Sequence, residues 1–162
     1  MNIEKKKYSL AEEYFNKAVS LAQKINIKYP LTEFLLNLGD VLLLTNKKGA
    51  YENIMEAYKI SKEIGRKDTL FGSTILLKKI EFRKSNDHKS KLQIFKNLKK
   101  MLKDEKDKEN IGLINFELAF MDYELKLENS EFKNVAIKIY KKLYTKTPKI
   151  EYKNKLEEME KL

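Results

Sequence analysis

The sequence predicts an all-α chain, and three observations carry that expectation. Apolar residues recur at intervals of three and four almost everywhere, while alternation at two is rare. Two prolines and five glycines in 162 residues leave long stretches without a helix breaker. A stripe of small and large side chains on one helix face returns 39 residues later, so the helices are expected in repeating pairs.

The first helix is expected from Tyr8 to about Ile27, with Ala11, Phe15, Ala18, Ala22 and Ile25 on one stripe. Ser9 and Glu12 have the spacing of a capping box at its start. Pro30 suits the first turn of a new helix and opens the second, which runs to Thr45 with Phe34, Leu35, Leu38 and Leu42 inward. After a turn at Asn46 to Gly49, the third helix covers Ala50 to about Ile64 and stops at Gly65, a C-terminal cap. The fourth is expected from about Thr69 to Lys84, using Leu76, Leu77 and Ile80. Ser85 to His88 forms a polar turn, and the fifth helix follows with Leu92, Phe95, Leu98 and Leu102. Lys103 to Asn110 reads as a charged connector. The sixth helix is expected over Ile111 to Leu127 and the seventh over about Ser130 to Thr145. The last begins at Pro148, capped by Thr147, and carries Tyr152, Leu156 and Met159.

The recurrence is specific. Ala11 and Ala50, Phe15 and Ile54, Ala18 and Ala57, and Ile25 and Ile64 are each 39 apart. Ala136, Tyr140 and Leu143 repeat the spacing in the seventh helix, and Pro148 lies twelve after Ala136 as Pro30 lies twelve after Ala18. One domain over residues 1–162 is expected from the length.

Composition removes several functions. The absence of cysteine excludes disulfides, thiolate chemistry and thiolate metal sites. His88 is the single histidine and falls in an expected turn, where an exposed side chain is the simple reading. Neighbouring acids such as Glu12 and Glu13, or Glu157 and Glu158, point about 100° apart on a helix and do not converge on a substrate. There is no glycine-rich phosphate loop and no nucleophile elbow. Neither an enzyme nor a cofactor is expected.

A formal charge of +10 invites a nucleic-acid reading. Only Arg66 and Arg83 are arginine among 34 basic residues, whereas bidentate contacts to bases and phosphates favour arginine. The lysines are interleaved with 24 acids, and a Lys-, Asn- and Ile-rich chain fits the codon bias of an AT-rich genome. Nucleic acid is therefore not the expected partner; if it were, the contact would lie in the lysine-rich stretch Lys91 to Lys108. Met1 leads straight into charged, amphipathic sequence, with no signal peptide. The most apolar stretch, Phe34 to Leu44, falls short of the ~20 residues a bilayer span needs. A cytoplasmic protein without membrane contact is expected.

The run Tyr8-Ser-Leu-Ala11-Glu-Glu-Tyr-Phe15-Asn-Lys-Ala18 resembles the second helix of a tetratricopeptide repeat, and Leu38-Gly39 followed by Leu42 resembles its first-helix signature. The period is similar to the ~40-residue variety found in bacterial regulators and sensors. The resemblance implies a right-handed α-solenoid of antiparallel helical hairpins. It also implies a scaffold or regulatory role, with a protein or peptide bound in a concave groove lined by the first helix of each pair. A peptide-sensing regulatory domain is the alternative it suggests.

On that resemblance the second helix would aim Glu33, Leu36, Asn37, Asp40 and Leu44 into the groove. The Asn37 amide, both donor and acceptor, could grip a ligand's backbone. Lys78, Lys79 and Arg83 could receive an acidic ligand, although a solvated face explains them as well. The sixth helix is apolar on two faces: Ile111, Ile114, Leu118, Met121 and Leu125 form one, and Phe116, Phe120, Tyr123 and Leu127 the other. The second face is either a binding strip or core. Finally, the chain opens on what resembles a second helix lacking its first. The expectation is that it is the C-terminal part of a longer protein, or that its first helix packs on another copy.

Overall fold

The computed structural model describes residues 3–162. Among them are eight α-helices and no strand: α1 (Ile3–Lys24), α2 (Lys28–Leu44), α3 (Ala50–Ile64), α4 (Lys67–Lys84), α5 (His88–Met101), α6 (Lys108–Leu125), α7 (Glu131–Lys146) and α8 (Ile150–Glu160). Short connections join consecutive helices, and α1–α2, α2–α3, α5–α6, α6–α7 and α7–α8 pack as neighbours, consistent with helical-hairpin repeats. The chain divides into two compact units, 1–80 and 81–162.

In the first unit α2 packs between α1 and α3. Val19 and Ala22 from α1, Leu31, Leu35, Leu38 and Leu42 from α2, and Ala50 and Ala57 from α3 form one apolar cluster. A second cluster joins Ile54 to Leu76 and Ile80 of α4, with Leu36 and Leu43 of α2 against it. Gly39 lets α2 and α3 close: a Cβ there would sit 2.4 Å from Ile54 Cγ1.

Several boundaries differ from the sequence reading. Helix α1 starts at Ile3, so Ser9 lies inside the helix and caps nothing. The lysines before Tyr8 are good helix formers, and Glu4 in the first turn complements the helix dipole. Glu12, expected in the capping box, pairs with Lys47 instead. Pro30 is the third residue of α2, whose first-turn N–H groups need no intrahelical partner.

The first three helices end by one device. After α1 the N–H of Ile27 donates to the carbonyl of Ala22 and that of Asn26 to Gln23, with Asn26 left-handed at φ 55°. This is the Schellman arrangement. Asn46 ends α2 in the same way, with Lys47 N–H donating to Leu42. Gly65 ends α3 at φ 70°, with Arg66 N–H donating to Ser61, as its sequence position implies. Asn26 and Gly65 are themselves 39 apart, so the repeat extends to its caps.

The second unit is built around α6, which packs on α5 and α7, while α8 packs on α7. Asp87 caps α5 by accepting from the N–H and the hydroxyl of Ser90. Asp107 caps α6 by accepting from Asn110 N–H, which draws residues 108–110 out of the expected connector and into the helix. Helix α8 begins at Ile150 rather than Pro148; Thr147 is the C-terminal cap of α7, and a turn from Lys149 N–H to Thr147 O separates the two.

Helix α6 ends at Lys126, held left-handed at φ 56° while Leu127 N–H donates to Asp122 O. A Cβ-bearing residue pays roughly 1 kcal/mol in that region. Lys126→Gly is therefore expected to stabilise the protein by up to about 1 kcal/mol, read as a higher urea midpoint, less whatever glycine adds to the freedom of the unfolded chain.

Candidate functional site

Glu33, Asn37, Asp40 and Leu44 succeed one another by four, three and four residues, which places them on one face of α2. Asn37 and Asp40 are half-buried, and among the described residues neither side chain has a hydrogen-bond partner. Leu44 is exposed at one end of the row. Leu36 flanks it and packs into both apolar clusters of the first unit. Gly72 of α4 lies against Leu36, since a Cβ added there would come 2.9 Å from Leu36 Cδ2. The result is a helix face with an apolar edge at Leu36, an amide and a carboxylate in the middle, and a leucine at the end.

Glu33 has a different occupation. Its Oε2 accepts from Arg66 Nη2 at 3.1 Å, one strand of a clamp between the start of α2 and the α3–α4 junction. Arg66 Nε and Nη2 donate to the two oxygens of Asp68 at 2.8 and 3.0 Å. Its Nη1 donates to the carbonyl of Tyr29 at 2.6 Å and to Thr32 Oγ1 at 3.3 Å, and the guanidinium lies 4.0 Å from the centre of the Tyr29 ring. The hydrogen bond to Asp68 holds the Arg66 pKa above its ordinary value and, reciprocally, that of Asp68 below its own. Beneath the clamp, the buried hydroxyls of Ser61 and Thr69 are 2.7 Å apart. Sequence reading missed this arrangement. The sole signal was an arginine in a lysine-dominated chain.

The expected aromatic strip of α6 divides. Phe116 is buried in the second unit, 5.1 Å from Phe120 and 6.2 Å from Tyr140 between ring centres, with Lys155 Nζ 4.3 Å above its ring. Phe120 is half-buried and Tyr123 is exposed. Phe116 and Phe120 are thus brought together as packing, and Tyr123 alone of the three faces water. Lys78 and Lys79 are half-buried, Arg83 and His88 exposed.

Helix α6 also buries polar groups that its pattern did not announce: Asn115, Glu117 and Asp122. Asp122 Oδ1 accepts from Asn129 N–H at 3.1 Å, tying down the loop after Lys126, while its Oδ2 is buried without a partner. Tyr152 on α8 donates to Glu109 Oε1 at 3.1 Å. Burial, then the Glu109 carboxylate, push its phenol up to about 12. The neutral form is favoured by folding, so this contribution to stability is intact below pH 10 and is lost as pH rises toward 12. In an alkaline ultraviolet titration one tyrosine is expected to ionise about two pH units after a phenol of ordinary pKa, and Tyr152→Phe should remove that late step.

Among the described residues no group of three or more His, Asp or Glu side chains is placed to hold a metal ion, and no helix is long and apolar enough to cross a membrane. Compared with models of known families, with curated proteins and with solved structures, the chain has no significant match.

Proposed function

We propose that this chain is a non-catalytic binding module of the tetratricopeptide-like kind, acting in the cytoplasm as a scaffold or regulatory element. Its partner is a protein or an extended peptide taken against α2. The observation that supports this reading is the pair Asn37 and Asp40, half-buried and without intramolecular partners, set between Leu36 and Leu44 on one helix face. The Asn37 amide pairs with a peptide N–H and C=O together, and the Asp40 carboxylate draws a donor or a basic side chain. Leu36 and Leu44 supply the apolar contact, as in helical-groove recognition generally. Glu33 sits at the margin of this row, neutralised by Arg66. No cofactor takes part.

The test compares wild type with the double variant Asn37→Ala, Asp40→Lys in a nuclease-treated pull-down at near-physiological salt. A protein retained by the wild type and lost from a still-helical variant supports the face as the binding site. Equal retention by both defeats the assignment and turns attention to Tyr123.

One observation favours a second reading, a nucleic-acid contact. Helix α5 carries five lysines and no acid, and α7 carries five lysines against Glu131. The rings of Phe95 on α5 and Phe132 on α7 meet edge to face, their centres 5.7 Å apart. Duplex binding by this surface would weaken steeply with salt, since each phosphate contact releases counterions. The triple change of Lys96, Lys99 and Lys100 to glutamate would abolish it; unchanged binding would sink this reading.

A further inference from the structure

Helix α1 leaves an apolar stripe in water. Ile3 is 87% exposed, Leu10 58%, Tyr14 62%, Leu21 59%, and Ile25, just past the helix end, 54%. At 100° per residue these five lie within about 60° of arc. The opposite side of the same helix, at Val19 and Ala22, is already buried against α2. The helix also shows water a polar face, which carries Glu13 and Lys17, and the apolar stripe lies uncovered beside it.

The repeat within the chain indicates what such a face is built to meet. The α3 positions 39 residues after Leu21 and Ile25 are Ile60 and Ile64. Both are half-buried, and Ile60 packs against the cluster contributed by α1 and α2. At these two positions α3 is partly covered, and α1 is open.

We propose that α1 is closed by α1 of a second copy of this chain, the two running antiparallel about a two-fold axis at Tyr14. The stripe is arranged for such pairing: Ile3 lies eleven residues before Tyr14 and Ile25 eleven after it. Reversal about Tyr14 sets Ile3 against the partner's Ile25, Leu21 against the aliphatic stem of the partner's Lys7, Leu10 against the small side chain of the partner's Ala18, and Tyr14 against the partner's Tyr14. The charges beside the stripe fit the same register. Glu13 and Lys17 form a pair at 2.7 Å within one helix, and the reversal brings Glu13 near the partner's Lys17. Lys6 and the partner's Lys24 meet at the ends of the contact with like sign, a repulsion that salt screens. The five side chains expose on the order of 500 Å², the size at which a contiguous apolar patch marks an interaction site. Two such patches bury about 1,000 Å², the lower bound for a specific association, so the dimer is a weak one. An isologous contact of this kind closes on itself and stops at two. It uses neither Asn37 nor Asp40, so it stands or falls apart from the peptide-binding reading.

Sedimentation of the full chain at tens of micromolar is expected to give twice its 19.2 kDa. Tyr14→Glu sets two like charges against each other on the axis and should return the mass to that of the monomer with an unchanged helical spectrum, because the residue is exposed. A wild-type monomer at several hundred micromolar overturns the proposal, as does a dimer that Tyr14→Glu leaves intact. The chain has no cysteine, so introduced thiols report the geometry. Tyr14→Cys should form an intermolecular disulfide on mild oxidation. Ile3→Cys should link to Ile25→Cys in a mixture but not to itself. Ile3→Cys linking to itself would overturn the antiparallel arrangement.

Discussion

Arg66→Ala is expected to destabilise the first unit by about 3 kcal/mol, chiefly by cutting α2 loose from the α3–α4 junction. The guanidinium is itself buried and spends its donors on two carboxylates, a carbonyl and a hydroxyl. Charge-assisted hydrogen bonds of this kind are worth about 1.5–3 kcal/mol each in favourable settings. The sum is discounted because the Glu33 and Asp68 side chains are more than half exposed and rehydrate once the arginine is gone. What water replaces poorly is the contact with buried Thr32 and with the Tyr29 ring and carbonyl. Arg66→Lys keeps the charge but loses the fork and should forfeit about half as much. Asp68, whose folded pKa is lowered, adds stability above its ordinary value of 3.8 that is lost as pH falls through the depressed one. Urea unfolding of the variants at pH 7 and pH 3 measures both effects. A loss below about 0.5 kcal/mol for Arg66→Ala would mean that hydration replaces the whole clamp.

Gly39→Val should cost a similar amount, about 3 kcal/mol, for the opposite reason: too much matter rather than too little. The Cβ alone would stand 2.4 Å from Ile54 Cγ1 and 3.3 Å from the carbonyl of Ala50. Ile54 is fully buried and β-branched, so its χ1 cannot swing away cheaply. Gly39→Ala separates the terms. It gains about 1 kcal/mol of helix propensity and loses about 1–3 to overpacking, so a small net loss is expected. Gly72→Ala is the control: its nearest neighbour is the far end of Leu36, which can turn, and the change should be neutral or stabilising. Thermal unfolding of the three variants decides the matter, and a Gly39→Ala protein as stable as Gly72→Ala would refute the close approach.

These two sites differ in how far they could be read in advance. Gly39 was legible because a small residue beside Leu38 and Leu42 on an amphipathic helix marks where a second helix comes close. Arg66 was not, because its partners Tyr29, Thr32 and Glu33 lie 33 to 37 residues away and no periodicity links them. The left-handed caps at Asn26 and Asn46 were equally silent, since asparagine serves many turn positions whereas Gly65 announces one. That Glu33, Asn37, Asp40 and Leu44 share one face of α2 follows from their spacing, but the commitment of Glu33 to Arg66 emerges only in three dimensions.

Helix α6 draws the line between the two kinds of information. Its apolar residues satisfy the helical period on two faces at once, so the sequence by itself determined that it is a helix and that both faces are apolar. Which face is covered was settled by the neighbours: Phe116 meets Tyr140, while Tyr123 meets water. Helix α1 repeats the lesson, for Leu21 and Ile25 correspond across the repeat to Ile60 and Ile64 of α3 and yet stay exposed. Helical periodicity and the glycine cap at Gly65 arise from interactions within a few residues along the chain, and the sequence alone determined these. Burial depends on whether another helix arrives at a given face, and that the tertiary structure decided.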